Sequence, residues 1–175
     1  MKIIAFGASN SSTSINKALA TYTANLVEGA EVKVLDINDF KVPMFSEDLE
    51  KEIGKSEGAQ AFLREIGEAD ALVISFAEHN GHYTAAYKNL FDWASRIERA
   101  VYQDKPAVYL GTSPGPSGAQ SVLAAAQGSA SFFGGNVKAT VSVPNFYDVF
   151  NVEEGVVSND AVNAELKQAV TALML

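Results

Sequence analysis

Residues 2–20 read KIIAFGASNSSTSINKALA. An apolar run, 2–6, meets a glycine and then five hydroxyl residues, Ser9, Ser11, Ser12, Thr13 and Ser14. Beyond them apolar residues return at helical spacing, at Ile15, Ala18, Leu19, Tyr22 and Leu26. A strand-like run that gives way to a 3.6-residue period predicts a strand, a loop and a helix in succession. The loop carries no Lys between Gly7 and Asn16, so any ligand there must be gripped without a nearby formal cation.

The same alternation recurs along the chain. Residues 2–6, 31–37, 71–76, 106–111 and 136–143 read as strands. Three are nearly continuous apolar runs, as expected of parallel strands covered on both faces, while the second and fifth alternate as edge strands do. Helical patterns occupy 14–28, 58–68, 84–100, 118–133 and 159–175. Alternating strands and helices predict one α/β domain over residues 1–175, with helices on both faces of a parallel sheet and right-handed crossovers. Five strands favour the order 2-1-3-4-5. Residues 39–55 read as an irregular surface excursion.

In such a sheet, ligands bind beyond the carboxyl ends of the strands, near the point where strand order reverses. Three loops there are rich in Gly, Ser or Asn: GASNSSTS after strand 1, AEHNGHYT after strand 3 and GTSPGPSG after strand 4. The first ends where a helix begins near Ser14, and a helix N-terminus with free N–H groups favours an anion such as one phosphate. Ser14 equally suits a simple N-cap, though five hydroxyl residues exceed what a cap requires. Asn80-Gly81 is a turn signal that presents bare backbone, against which a flat, polar-edged ring could dock.

Other site chemistries fail on the residues. A triphosphate loop needs G-x-x-x-x-G-K-[ST], and a dinucleotide fingerprint needs three spaced glycines where only Gly7 is present. Asp36 ends strand 2 at a ribose-binding position but reads more simply as a strand-terminating solvent residue. His79 and His82 have no evident third ligand beyond Glu78, so no metal site is expected, and there is no G-x-S-x-G elbow. The chain has no Cys, which excludes disulfides and thiolate chemistry. Thirteen basic against 21 acidic residues leave a net charge of −8, which repels nucleic acid and anionic membranes. No apolar run approaches a membrane span, and the cytoplasm is the default compartment. Tyr83, Tyr87 and Phe91 form a second apolar stripe beside Ala86, Leu90, Trp93 and Ile97, which predicts a homodimer unless one wide face is buried within the chain.

The quoted loops resemble those of the NADPH-dependent FMN reductase family, which includes quinone, azo-dye and chromate reductases. Ser9, Ser14, Asn16, Leu19 and Ala20 match its first motif, G-S-x-R-x-x-S-x-N-x-x-L-A, with Ser11 in place of the Arg. Glu78, Asn80, Gly81, Lys88, Asn89, Asp92 and Trp93 match its second, whereas Ala77, His79 and His82 depart from it. Gly111, Ser113, Pro114, Gly115 and Gly118 match G-x-S-P-G-x-x-G. The resemblance implies a flavodoxin-like three-layer sandwich that binds FMN and passes hydride from NAD(P)H to a small-molecule acceptor such as a quinone. It implies phosphate contacts at Ser9, Ser11, Ser14, Ile15 and Asn16. Ring contacts follow at Glu78, His79, Asn80 and Gly81 and at Ser113, Pro114 and Gly115, with no obligatory side-chain acid or base. The rival expectations are an electron-transfer flavoprotein without nicotinamide activity and a non-enzymatic flavin-binding protein.

Overall fold

The computed structural model describes residues 1–174. In chain order the elements are β1 (Lys2–Ala8), α1 (Ile15–Asn25), β2 (Glu31–Leu35), α2 (Glu47–Ile53), α3 (Glu57–Glu68) and β3 (Ala71–Phe76). Then come β4 (Glu78–His79), β5 (His82–Tyr83), α4 (Ala85–Ile97), β6 (Pro106–Thr112), α5 (Gln120–Ala130) and β7 (Asn136–Val143). The chain continues through α6 (Phe146–Val149), β8 (Phe150–Asn151), β9 (Val156–Val157) and α7 (Asp160–Thr171). Leu175, the last residue of the helix expected over 159–175, lies outside the described residues.

β2, β1, β3, β6 and β7 form one sheet in that order, every pair parallel. This is the expected 2-1-3-4-5 arrangement. Strand alternation divides the core in two. Ile4, Phe6, Leu72, Ile74 and Tyr109 pack beneath α3, α4 and α5, and Ile3, Ala5, Val73, Val108 and Leu110 pack beneath α1 and α7. β3 is buried throughout, while β2 and β7 alternate in exposure as edge strands. β1 and α1 are in close contact where the first loop begins. A Cβ on Gly7 would lie 2.5 Å from the Lys17 backbone N, so only glycine permits that approach.

Residues 39–55 are more ordered than their sequence predicts. Ser46 accepts the Leu49 N–H at 3.1 Å and caps α2, whose first turn carries Glu47, Asp48 and Glu50, favourable to the helix dipole. α2 buries no residue, so it has no apolar period to read. Pro43 and Phe45 are fastened to α4. Trp93 Nε1 and Asn89 Nδ2 both donate to the Pro43 carbonyl, at 2.7 and 2.9 Å, and Asn89 Oδ1 accepts the Phe45 N–H at 2.8 Å. Asn89 and Trp93, both matches to the second motif, thus fasten this excursion to α4.

The second stripe of α4 is not a free face. Tyr87 is 0% exposed, and its ring packs on Phe6 and Phe76. Its hydroxyl meets that of Tyr102 at 2.8 Å. Phe91 meets Phe133 edge-on at 4.8 Å, and Tyr83 packs on Phe76. Tyr83 and Phe91 are half-buried and pack against this core, as do Ala86 and Ile97 of the first stripe, so the two stripes form one wide, partly exposed face. Tyr87 is therefore closed to a second copy, whereas Tyr83 and Phe91 remain partly exposed. α5 starts later than the expected residue 118 because Gly118 and Ala119 have φ of 57° and 58°, outside the helical region.

Candidate functional site

The loops after β1, β3 and β6 meet at the carboxyl end of the sheet around a cleft of about 280 Å³. The first loop contributes Ser9, Ser11, Ser14, Ile15 and Asn16 to its lining, the second Glu78 and His79, and the third Ser113 and Pro114. Asn80, Gly81 and Gly115 do not line it. Asn80 and Gly81, with φ of 53° and 79°, form the tight turn between β4 and β5 at the rim. Both positive φ values are those of a hairpin turn that Asn-Gly favours. Thr13, Ala77, Thr112 and Tyr147 also line the cleft. Tyr147 escaped the sequence reading because it follows β7, outside the three glycine-rich loops. Its only sequence signal is the aromatic cluster of Phe146, Tyr147 and Phe150.

The first loop delivers donors without a cation. Ser14 is the N-cap of α1, its Oγ accepting the Lys17 N–H at 3.1 Å, so the cap reading holds. The amides of Ile15 and Asn16 begin the first turn and have no intrahelical acceptor. Ser9 is buried and its Oγ accepts the Ser11 N–H at 3.2 Å, which curls the loop. Lys17 turns its ammonium to Asp36 at 2.7 Å. That hydrogen bond holds the Asp36 carboxyl below its ordinary pKa, and Asp36 also accepts the Asn38 N–H at 2.9 Å. Asp36 is thus committed to its own neighbours.

Asn16 and Glu78 each serve the architecture of the cleft with their side chains. Asn16 Oδ1 accepts the Ser75 hydroxyl at 2.7 Å and the Thr112 N–H at 3.1 Å, and its Nδ2 donates to the Thr112 carbonyl at 3.2 Å. This buried amide joins α1 to the ends of β3 and β6, leaving its backbone N–H for a ligand. Glu78 Oε2 accepts the Val122 N–H at 2.9 Å, at the start of α5.

In the third loop, Ser113 Oγ donates to the Gly115 carbonyl and accepts the Gly118 N–H, both at 3.0 Å. The Ser113 and Gly115 carbonyls accept the Phe146 and Asn145 N–H groups at 3.0 and 2.9 Å. The third loop is therefore braced from behind by the segment that carries Tyr147. His79 and His82 face each other across the ribbon. Among the described residues no cluster of three His, Cys, Asp or Glu is placed to hold a metal ion.

The residues fit one phosphate ester joined to a flat heterocycle. Hydroxyls and a helix N-terminus suit the phosphate, no carboxylate lies in the first loop, and the ribbon turn and third loop offer backbone to a ring edge.

This sheet order, with its loop-borne cleft beyond β1 and β3, defines a flavodoxin-like protein. Residues 1–148 match the NADPH-dependent FMN reductase family, and the chain belongs to that family. It is 33% identical over 109 residues to an NADPH:quinone oxidoreductase of Arabidopsis thaliana, which covers 62% of this chain and 54% of that protein. It is 32% identical over 119 residues to an NAD(P)H-dependent FMN reductase of Pseudomonas aeruginosa, covering 67% and 63%. The chain thus spans between about half and two thirds of these curated relatives. Among solved structures, the flavoenzyme NAD(P)H:(acceptor) oxidoreductase FerB of Paracoccus denitrificans superposes with a TM-score of 0.75 at 25% identity, covering 98% of this chain and 94% of that one.

Proposed function

We propose that the chain, as a single FMN-binding domain, is an NAD(P)H-dependent oxidoreductase acting on a quinone-like, azo or free-flavin acceptor. When bound, FMN would supply the two-electron redox chemistry between NAD(P)H and the acceptor. The protein holds and orients. Ser9, Ser11 and Ser14, with the amides of Ile15 and Asn16, bind the phosphate. The backbone of His79, Asn80 and Gly81 meets one edge of the ring system, and Pro114 and Gly115 wall another. The side chains of Asn16, Glu78 and Ser113 keep the three loops at fixed separation.

The observation that carries this reading is the convergence, in one cleft, of an acid-free hydroxyl loop at the start of α1 with Glu78 and His79 of the ribbon that Asn80-Gly81 closes. The reading assigns the reaction to the cytoplasm, where nicotinamide dinucleotides are replenished. Among the described residues no helix is long and apolar enough to cross a membrane. It also takes the protein as a homodimer, with Phe132, 62% exposed, as the candidate contact. Light scattering of wild type and Phe132→Glu tests the assembly.

The activity test is NAD(P)H oxidation by the purified yellow protein with a benzoquinone as acceptor. A shared site for both substrates gives parallel double-reciprocal lines. A colourless protein that neither retains nor takes up FMN, or one inert to NAD(P)H, would refute the reading.

A further inference from the structure

The segment from α6 to β9 stands away from α1 and leaves a groove of about 760 Å³ between them. Its floor is apolar and fixed. Tyr22 donates its hydroxyl to Asn163 Oδ1 at 2.9 Å and meets Phe150 edge-on at 6.1 Å, and Phe146 stacks on Phe150 at 4.6 Å. Ile15 and Ala18 continue the floor along α1. Val152 and Val156 form the outer wall, and Val152 is 59% exposed. The groove adjoins the cleft described above: Thr13, Ser14, Ile15 and Tyr147 line both.

We infer that this groove seats the apolar tail of a substituted quinone whose ring is reduced in the adjoining cleft. The inference rests on the proposed function and names its substrate class. A volume of this order suits a drug-sized ligand, and such sites are mostly apolar with a few polar groups. Thr13 and Tyr147 also line both spaces, and a boundary along Tyr147, beside the Ser14 given to the phosphate, lets one molecule occupy both. Charge separates a neutral tail from the adenosine half of a dinucleotide. Among the described residues Lys17 is the one cation lining the groove, and it is paired with Asp36, while Glu153 and Glu154 occupy the turn beside Val152 and oppose a pyrophosphate. An alkyl or isoprenoid chain meets no such opposition and covers the exposed valines. The redox balance is that of the ring alone: NAD(P)H, a proton and the quinone give NAD(P)⁺ and the hydroquinone, and the tail is unchanged.

The test uses the FMN-loaded protein and two acceptors with the same dimethoxy-methyl-benzoquinone ring, one bare and one bearing a decyl chain. One fully buried methylene is worth about fourfold in affinity, so even a partly covered chain should lower KM at least tenfold. The double variant Val152→Glu with Val156→Glu alters only the exposed wall. It should raise KM for the decyl quinone about tenfold, with KM for the bare ring, FMN content and thermal midpoint unchanged. 1-Octanol, titrated by calorimetry, should bind wild type and not the variant. Equal KM values for the two quinones, equal shifts in the variant, or no octanol binding to wild type would overturn the inference. So would a groove shown to be covered by a second copy in solution. Failure to reduce either quinone refutes the proposed function instead, and octanol binding distinguishes that failure from a groove that accepts no chain.

Discussion

Glu78 and Val122 are 44 residues apart in sequence, and Glu78 Oε2 accepts the Val122 N–H at 2.9 Å. α5 has no cap of its own, because its N-cap is Ala119 in the left-handed conformation. Glu78 supplies the missing acceptor from the β3 side and joins the second loop to the start of α5. Glu78→Ala should lower unfolding stability by about 1 kcal/mol, the usual cost of a lost cap. Glu78→Gln keeps an acceptor and should retain most of it. Urea unfolding of both variants, with flavin titration of each, checks this. Equal loss in Ala and Gln would show that charge rather than the hydrogen bond matters.

The acid-free loop makes a second prediction. Ser14→Asp preserves the cap, since Asp is a good N-cap residue, but sets a carboxylate against a phosphate dianion. FMN should bind at least tenfold more weakly, for a hydrogen bond to a charged group contributes roughly 1.5–3 kcal/mol. Riboflavin, which lacks the phosphate, should be unaffected. Fluorescence quenching titrations of the apo-protein with both flavins measure the difference. An equal loss for riboflavin would remove the phosphate from this loop. Ser11→Arg should tighten FMN and make its binding more sensitive to salt.

Asn16 binds three groups on two strands from one buried amide. Asn16→Leu strands the Ser75 hydroxyl and the Thr112 N–H, at roughly 1–3 kcal/mol for each unsatisfied group. Asn16→Asp retains the acceptor but turns a carboxylate oxygen toward the Thr112 carbonyl. Both variants should unfold at lower urea concentration, Leu by more. If Asn16→Leu is as stable as wild type, the network contributes nothing net.

Three buried tyrosines predict an alkaline limit. Burial raises the hydroxyl pKa of Tyr87, Tyr102 and Tyr109 above the usual value near 10. A group whose folded pKa is raised contributes fully below its unfolded pKa and loses that contribution as pH climbs toward the folded value. Stability should thus be unaffected by these groups at neutral pH and fall above about pH 10. The slope approaches roughly 1.4 kcal/mol per pH unit for each tyrosine. Urea midpoints between pH 8 and 11 test it, with Tyr87→Phe expected to reduce the slope. Ultraviolet titration should show these three ionising only with unfolding.

Several features of the fold were legible because they repeat at short range. The continuous apolar run of Ile3 to Phe6, the alternation of residues 31–37 and the helix period of 3.6 in Ile15 to Leu26 are visible in the sequence, and they imply the layers and favour the strand order. The three loops were legible for the same reason, as their glycines and hydroxyl residues cluster between periodic segments. α2 was not, because a surface helix that buries nothing has no period. The turn at Asn80-Gly81 was readable from two adjacent residues, but the ribbon it closes and the short elements after β7 were not.

Periodicity in the chain is enough to say which residues share a face and which loops emerge together. What meets those faces, and which partner each polar side chain takes, follows from the packing of the layers. Tyr83, Tyr87 and Phe91 share a stripe by periodicity, but Phe6, Phe76 and Tyr102 close over Tyr87 and make it core, while its two neighbours stay half-buried. Asn16 and Glu78 sit in recognisable motifs, yet their partners, Ser75, Thr112 and Val122, are 44 to 96 residues away. Local pattern reflects backbone geometry repeated every two or 3.6 residues. Hydrogen bonds and contacts between distant segments depend on how the layers pack, and no periodicity encodes them.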